Sequence, residues 1–395
     1  MSHEVTPSQS STRGPVLVIG TGLIGTSIAL ALRSLGVEVW LSDPSPTTVA
    51  LAGDMGAGAP LQTVAQREAE MGPSMVVVAA PPDVTGGVVA QALTRYPGAI
   101  VTDVASVKDA VVRDVLDLTE ESVGDVEQRA SLLSRYVGSH PMAGRARSGA
   151  SHADGDLFYG RPWVIVPTPF SGDEAILAVR NLAVDLGAVP TRLEPKDHDE
   201  AVALISHVPQ LVSSLLAARL QEASEDALGL VGQGLRDTTR IAASDPGLWT
   251  NIIAGNIGPV VSVLKALGED LELLLESLEA PGASRDLPIP PGGAGAIAAI
   301  MSAGNRGVER IPGKHGGALR RWGYVEVLVP DKPGELGRLF SDLGHANINI
   351  EDLVLEHSSR QPVGLARVMV EPMNVDLAEE ELEARGWRIA SKEIR

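Results

Sequence analysis

A run of glycines between an apolar strand and an apolar helix constrains the fold of this chain most strongly. Residues 16–19, Val-Leu-Val-Ile, predict a buried parallel strand, and Gly20, Gly22 and Gly25 follow in the spacing G-x-G-x-x-G. In such a turn the first glycine makes the tight bend, the second lets the backbone approach a pyrophosphate, and the third lets the helix pack on the strand. The helix N-terminus then offers free N–H groups to phosphate. This pattern predicts a doubly wound, Rossmann-type parallel sheet that binds a dinucleotide.

An acidic residue follows the next predicted strand, where this fold places the carboxylate that binds a ribose. The strand of residues 37–42 ends at Asp43, close to the roughly 20-residue separation from the glycine turn that is typical. A carboxylate at this place repels the 2′-phosphate of NADP, so Asp43 favours NAD. The residues expected to bind NAD are Gly20, Thr21, Gly22, Leu23, Ile24, Gly25, Asp43, Pro81 and Ser106.

Polar or turn-forming residues follow three of the four later predicted strands of the α/β region. Strands are predicted near residues 75–80, 99–104, 135–137 and 161–167. The first three are followed by Pro81, Ser106 and His140, the last of these in a loop bounded by glycines and proline. Because the carboxyl ends of parallel strands share one edge of the sheet, we expect Ser106 and His140 to face the cofactor there.

The chain is long enough for several domains, and its pattern changes twice. From about residue 174 helical periodicity dominates, with apolar faces suited to dimerisation, and the tail reads as a ferredoxin-like βαββα unit. The expected parts are a disordered tail at 1–13, a Rossmann domain at 14–172, an all-helical substrate and dimerisation domain at 173–280, a linker at 281–321, and a ferredoxin-like domain at 322–395.

Composition excludes several classes of partner and chemistry. The net charge of −18 argues against nucleic acid and anionic membranes, so an anionic substrate needs local cationic groups. The absence of cysteine removes thiol catalysis and fits a reducing compartment, and no signal peptide is recognisable at the N-terminus, so we expect a cytoplasmic protein. No cluster has the spacing of metal ligands, and residues 197–200, Asp-His-Asp-Glu, are interpreted as a solvated helix start.

Four polar side chains are candidates for chemistry. A neutral imidazole at His140 can accept a proton from a substrate hydroxyl as hydride leaves the same carbon. Ser106 can hydrogen-bond the nicotinamide, the substrate or His140, or it can cap the helix that follows. Arg240 can clamp a carboxylate, whereas Arg236 is expected in a surface ion pair. His207 lies in an apolar helix, where burial is the usual role, although the adjoining Pro209 favours a pocket wall.

Several sequence blocks resemble the prephenate dehydrogenase family, in order from about residue 14 to 280. The blocks lie at residues 20–25, 103–108, 138–144, 158–163, 206–209 and 237–246, and His-Pro-Met-Ala-Gly and Asp-Thr-Thr-Arg are the most specific of them. The tail, with Asp331-Lys-Pro-Gly-Glu-Leu, resembles an ACT domain, a regulatory module that binds small molecules.

The resemblance implies oxidative decarboxylation of prephenate by NAD to 4-hydroxyphenylpyruvate, on the route to tyrosine. It implies that His140 accepts the hydroxyl proton, that Arg240 holds a substrate carboxylate, and that Ser106 lies near the histidine and the nicotinamide. His207 and Gln210 are then expected near the substrate. A homodimer and an aromatic amino acid effector near residues 331–335 are expected as well.

Two departures from the family leave the substrate open. Several members carry a second histidine where this chain has Gln210, and an acidic residue where it has Ala146. Arogenate dehydrogenase is therefore the alternative activity. A sensor that lost turnover is a further alternative, against which the intact His140, Ser106 and Arg240 argue. A hydroxyacid dehydrogenase or imine reductase would often use a lysine of the helical domain, but Lys196 and Lys265 lie in no matching block.

Overall fold

The computed structural model describes residues 10–394 apart from residues 146, 148, 282–288, 312–321 and 358–362. The chain divides into two compact units, residues 1–219 with 239–266 and residues 220–238 with 267–395. The strands are β1 (Val16–Ile19), β2 (Val39–Ser42), β3 (Ala59–Pro60), β4 (Met75–Val78), β5 (Ile100–Asp103), β6 (Tyr136–Pro141), β7 (Pro162–Pro167), β8 (Val189–Arg192), β9 (Gly323–Pro330), β10 (Asp352–His357), β11 (Val363–Val370) and β12 (Arg388–Ile394).

The α-helices of the described residues follow in chain order. They are α1 (Leu23–Ser34), α2 (Pro46–Asp54), α3 (Ala65–Met71), α4 (Pro82–Arg95), α5 (Asp109–Ser122), α6 (Val126–Leu133), α7 (Asp173–Asp185), α8 (Pro195–Val202), α9 (Val208–Arg219), α10 (Glu225–Gly229), α11 (Gln233–Thr239), α12 (Pro246–Gly255), α13 (Ile257–Glu279), α14 (Gly293–Val308), α15 (Glu335–His345) and α16 (Val375–Ala384).

The first unit is built on an eight-stranded sheet in the order β3-β2-β1-β4-β5-β6-β7-β8. Alternate residues of the central strand enter two different apolar cores, Val16 and Val18 on one face and Leu17 on the other. Both faces are therefore covered, as a doubly wound α/β fold requires. The predicted fold class is confirmed here, with one correction: β7 runs antiparallel to β6.

His140 lies on a strand and not in the predicted loop. β6 continues to Pro141 because β7 pairs with it antiparallel, placing His140 opposite Val164. The pairing was hidden in the sequence because Gly138, Ser139 and Pro141 have low β propensity. The sheet therefore holds the backbone of His140. This residue lies just after the part of β6 that pairs in parallel with β5.

The predicted start of an all-helical domain at residue 173 is wrong. Helix α7 packs into the core of the sheet through Val179 and Leu182, and β8 adds a parallel strand beside β7. β8 escaped prediction because its four residues are mostly exposed and include Pro190, so they give no apolar run. The α/β region therefore extends to about residue 192.

A long helical run follows, with a π segment at Ala203–His207 between α8 and α9. The run Pro195–Glu222 is long and apolar enough to cross a membrane by length and composition alone. Its polar residues His198, Asp199 and His207 are buried and hydrogen-bonded within the first unit, which is the arrangement of a helix packed in a globular protein. Pro209 explains the π segment, because it has no N–H to continue the regular hydrogen-bond ladder.

Two predicted irregular segments contain ordered structure. Of the expected disordered tail, residues 1–9 lie outside the described residues, but Ser10 and Thr12 hydrogen-bond the Asp185 carboxylate through their hydroxyls at 2.9 and 2.6 Å. Of the expected linker, the ends lie outside the described residues, but α14 occupies its centre. The glycines there suggested a linker, yet alanine and isoleucine between them supply helix propensity and an apolar face.

The C-terminal part of the second unit is a four-stranded antiparallel sheet in the order β10-β11-β9-β12. Strands β9 and β11 alternate buried and less buried residues, so one face of the sheet packs against α15 and α16. The order is βαββαβ, one strand more than predicted, since β12 was not recognised among the charged residues at the C-terminus.

Candidate functional site

The glycine turn has the shape that a pyrophosphate requires. A Cβ at Gly20 would lie 2.3 Å from the Ala79 carbonyl oxygen, and one at Gly25 would lie 1.9 Å from the Gly20 carbonyl oxygen. Gly20 also has φ of +103°, which strongly favours glycine. At Gly22 no atom lies within 4 Å of such a Cβ, so the turn is open there, directly before the N-terminus of α1. The residues therefore fit a dinucleotide phosphate group.

Asp43 ties the end of β2 to this turn. Its carboxylate accepts hydrogen bonds from the backbone N–H groups of Thr21 and Ser45, both at 2.8 Å. Thr21 is buried, and its hydroxyl contacts the Thr48 hydroxyl at 3.0 Å. The predicted ribose-binding carboxylate thus lies beside the glycine turn, half-buried, with its orientation fixed by backbone donors.

His140 belongs to a row of three polar side chains. Its Nδ1 lies 2.9 Å from Nε2 of His198, and Nδ1 of His198 lies 2.8 Å from Oδ1 of Asp199. His198 is 0% exposed and Asp199 is 2% exposed, so the interpretation of residues 197–200 as a solvated helix start is wrong. His140 itself is partly accessible at the sheet edge.

The Asp199 carboxylate is held by the start of a helix from another part of the chain. It accepts the backbone N–H groups of Lys108 at 2.8 Å and Asp109 at 2.9 Å. These are orphan donors at the N-terminus of α5, where a negative charge is favourable. Ser106 does not cap this helix, because α5 begins at Asp109 and Lys108 precedes it, so that alternative for Ser106 is wrong.

A buried ion pair supports the strand ends under His140. Lys108, 0% exposed, pairs with Asp103, and its Nζ donates to the Ser139 carbonyl oxygen at 2.8 Å. The Tyr136 hydroxyl donates to the other Asp103 oxygen at 2.9 Å. Burial lowers the pKa of Lys108, while Asp103 opposes that shift. The pair links the ends of β5 and β6 and fixes the residue before His140.

The surroundings keep His140 neutral. Burial, and secondarily electrostatic repulsion by His198, Lys108 and His207 as the ring gains a proton, holds the pKa of His140 well below its ordinary value of 6.5. At neutral pH the ring therefore has one nitrogen without a proton, and it can accept one.

His207 is buried, as its apolar helix suggested. It is 1% exposed, packs edge-on against Trp249, and its Nδ1 lies 3.1 Å from the Asn256 side-chain nitrogen. Since an amide nitrogen only donates, Nδ1 accepts and the proton resides on Nε2. Burial lowers the pKa of His207 to about 4. Asn256 also donates to the Asp199 backbone carbonyl at 2.7 Å, which joins His207 to the row containing His140.

Gln210 connects the helix of His207 to the segment of Arg240. Its side-chain nitrogen donates to the Ile241 carbonyl oxygen at 2.9 Å, and Gln210 is buried. Arg240 begins a short 3₁₀ turn, Arg240–Ala242, and its side chain is exposed. Both His140 and Arg240 belong to the first compact unit. The row that contains His140 is joined to His207 through Asn256, and Gln210, one helix turn after His207, is hydrogen-bonded to Ile241 beside Arg240.

Several residues of this arrangement were not assigned by sequence reasoning, among them Asp103, Lys108, His198 and Asp199. For the last two a signal was present. His198 and Asp199 share a helix face with Val202 and Ala203, one turn later, so their burial could have been inferred from i, i+4 spacing. Ala146, the second departure from the family, lies outside the described residues.

Comparisons with known proteins match the chain to one family. The family model "Prephenate dehydrogenase, nucleotide-binding domain" matches residues 28–191, and "Prephenate dehydrogenase, dimerization domain" matches residues 194–285. The chain is 34% identical over 376 residues to the "probable prephenate dehydrogenase NovF" of Streptomyces niveus, which covers 94% of this chain and 98% of that protein.

Solved structures share the fold. Prephenate dehydrogenase of A. aeolicus, in complex with hydroxyphenyl propionate and NAD+, matches with a TM-score of 0.62 at 24% identity, over 74% of this chain and 97% of that one. Synechocystis arogenate dehydrogenase matches with a TM-score of 0.55 at 26% identity, over 75% of this chain and 99% of that one. Together with the open glycine turn and the neutral imidazole at the sheet edge, the sequence matches show that the chain belongs to the prephenate dehydrogenase family of NAD-dependent oxidoreductases.

Proposed function

We propose that the protein is a prephenate dehydrogenase that converts prephenate and NAD to 4-hydroxyphenylpyruvate, carbon dioxide and NADH. The observation that carries this proposal is a neutral, sheet-held imidazole at His140 on the same sheet as the glycine turn. β6 lies three strands from β1, or roughly 14 Å at the usual strand spacing. A dinucleotide anchored at the glycine turn would extend along this edge toward His140.

The chain's own residues account for the proton chemistry. When bound, NAD accepts the hydride from the ring carbon that bears the hydroxyl. His140 takes the hydroxyl proton through Nε2, so that a carbonyl forms at that carbon. The ring carboxylate then leaves as carbon dioxide, and its bonding electrons make the ring aromatic. His140 returns the proton to the resulting phenolate, so the residue is unchanged after each turnover.

Arg240 supplies the cation that a dianionic substrate needs in a protein of net charge −18. Its guanidinium is exposed, and the hydrogen bond from Gln210 to the neighbouring Ile241 fixes the turn on which it lies. A guanidinium can hold a carboxylate by two parallel hydrogen bonds. Gln210 therefore serves the substrate by holding the Arg240 turn. His207 lies three residues before Gln210, on the same side of the helix, and its protonated Nε2 would be a hydrogen-bond donor to the substrate.

Arogenate is the alternative substrate, because Gln210 stands where several family members have a histidine and a solved relative is an arogenate dehydrogenase. The test is NADH formation followed by absorbance, with prephenate and arogenate in parallel assays. We expect a larger kcat/KM with prephenate. A larger value with arogenate would transfer the assignment to that substrate, and no NADH from either would favour a non-catalytic sensor.

Substituting Asp43 by Asn should weaken the preference for NAD over NADP. Asn keeps an oxygen that can accept the N–H of Thr21 or Ser45, so the turn is preserved, while the charge that repels a 2′-phosphate is lost. The measurement is the ratio of kcat/KM for the two cofactors. An unchanged ratio would remove Asp43 from cofactor selection. The double change Asp43→Asn with Ser45→Arg should favour NADP further.

We propose that the C-terminal sheet and helices form an ACT-like domain that binds an aromatic amino acid. A cavity of about 380 Å³ lies at the end of β9, lined by Val329, Asp331, Lys332, Gly334, Leu336 and Leu355 among others. It combines apolar walls with both signs of charge, as a zwitterion with an aromatic side chain would require. Calorimetry with tyrosine, phenylalanine and tryptophan tests this, and absence of heat with all three would overturn it.

We also infer a homodimer. Apolar side chains of the region matched by the dimerization-domain model are exposed in the single chain, Leu204, Ile205 and Leu215 among them at 60–64%. Exposed apolar residues in such numbers are typical of a surface that another chain covers.

A further inference from the structure

His140 has two ring nitrogens, and only one of them can take the substrate proton. A neutral imidazole carries its proton on either Nδ1 or Nε2, and the hydrogen bond made by one nitrogen decides the state of the other. His140 Nδ1 lies against His198, so Nε2 is the nitrogen left to act as a base. Whether Nε2 is bare depends on which of the two histidines donates in their contact.

The third member of the row settles the direction. The Asp199 carboxylate can only accept, so the 2.8 Å contact places a proton on Nδ1 of His198. Neutral His198 then has no proton on Nε2, which must accept from Nδ1 of His140 at 2.9 Å. Both hydrogen bonds therefore point the same way, from His140 to His198 and from His198 to Asp199, and the lone pair appears at Nε2 of His140.

Burial makes this direction difficult to reverse. His198 is fully buried, so no bulk water replaces either partner. Asp199 is held in place by the N–H groups of Lys108 and Asp109, and its backbone carbonyl by Asn256. The other charged groups nearby, Lys108 and Asp103, are paired with each other.

We propose that His198 and Asp199 are positioning residues that hold His140 in the tautomer with a bare Nε2. The proposal rests on the proposed function only for its kinetic consequence; the tautomer itself is a property of the protein without substrate. The arrangement corresponds physically to the orienting carboxylate of a hydrolase triad, with a second imidazole inserted between carboxylate and base.

The direct test is nitrogen NMR of the full-length protein labelled at its eight histidines. The signals that disappear in His140→Asn identify His140. Near neutral pH we expect its Nδ1 to be protonated and its Nε2 to be bare. A His140 ring protonated at Nε2 would overturn the proposal, and this measurement requires no variant of His198 to fold.

Two variants of His198 separate positioning from packing. Asn places an amide near Nδ1, where it can still donate to Asp199 but cannot reach His140, whereas Gln can place an amide oxygen near Nε2 and accept from His140. We expect kcat to be about tenfold lower in His198→Asn than in His198→Gln, part of the ~10²–10⁴-fold that a general base contributes. KM and NAD affinity should match in the two variants.

A matched control is His345→Asn, the same chemical change at an exposed position of the second unit, which should leave kcat unchanged. Equal kcat in the two His198 variants would contradict the positioning role. The two hypotheses fail separately: the expected tautomer without turnover of prephenate or arogenate would overturn the proposed function alone, and turnover with the opposite tautomer would overturn the positioning role alone.

Discussion

Replacing His140 by Asn should lower kcat at least ~100-fold, the low end of what a general base contributes. The substitution is selective, because the Asn amide can occupy the place of Nδ1 and still donate to His198, while nothing replaces Nε2. The backbone at this position is held by β7, so the strand should keep its register. Initial rates of NADH formation at saturating substrate provide the measurement.

The control for this variant is cofactor binding. The glycine turn and Asp43 follow β1 and β2, several strands from His140, so the affinity for NADH measured by fluorescence should be that of the parent protein. If kcat were unaltered while binding was normal, His140 would have no part in the proton transfer.

Replacing Arg240 by Ala should raise KM for the substrate about 10–100-fold, with a much smaller effect on kcat. This range follows from the loss of hydrogen bonds between charged groups, each worth ~1.5–3 kcal/mol. The truncation should leave the turn intact, because the Arg240 side chain is exposed. The hydrogen bond that holds the turn runs from the Gln210 side chain to the backbone carbonyl of Ile241 and does not involve the Arg240 side chain. Steady-state kinetics over a range of substrate concentrations gives both constants.

Arg236 offers the matched control, since it is also exposed and lies one turn earlier in the chain. Arg236→Ala removes the same charge from the protein and should leave KM near its parent value. A similar rise in KM for both variants would indicate a general electrostatic effect, and a normal KM for Arg240→Ala would exclude it as the carboxylate clamp.

The glycine turn and the parallel strands could be predicted because their signals are local. Only glycine fits at positions 20 and 25, because a Cβ there would collide with the backbone of Ala79 or of Gly20. Residues 16–19 form the apolar run that is typical of a strand covered on both faces. Asp43 was found for the same reason, since its distance from the turn is set by one βα unit.

The rest depends on contacts distant in sequence. His140 extends a strand only because β7 returns antiparallel beside it, and nothing in residues 138–141 carries that information. Asp199 appears solvated in its own segment, whereas its partners Lys108 and Asp109 lie some ninety residues earlier. α14 was missed because small residues are common to linkers and to helices that pack closely.

The burial of three imidazoles has a consequence for the response of the fold to acid. The pKa values of His140, His198 and His207 are all lowered, chiefly by burial, with that of His207 at about 4. The unfolded chain titrates these groups near pH 6.5, so below that pH it takes up protons that the folded chain refuses. The stability that these neutral imidazoles contribute is therefore fully present above about pH 6.5. It is lost as the pH falls toward their pKa values in the folded protein. The neutral imidazole that makes His140 a base is thus also a point at which acid weakens the protein.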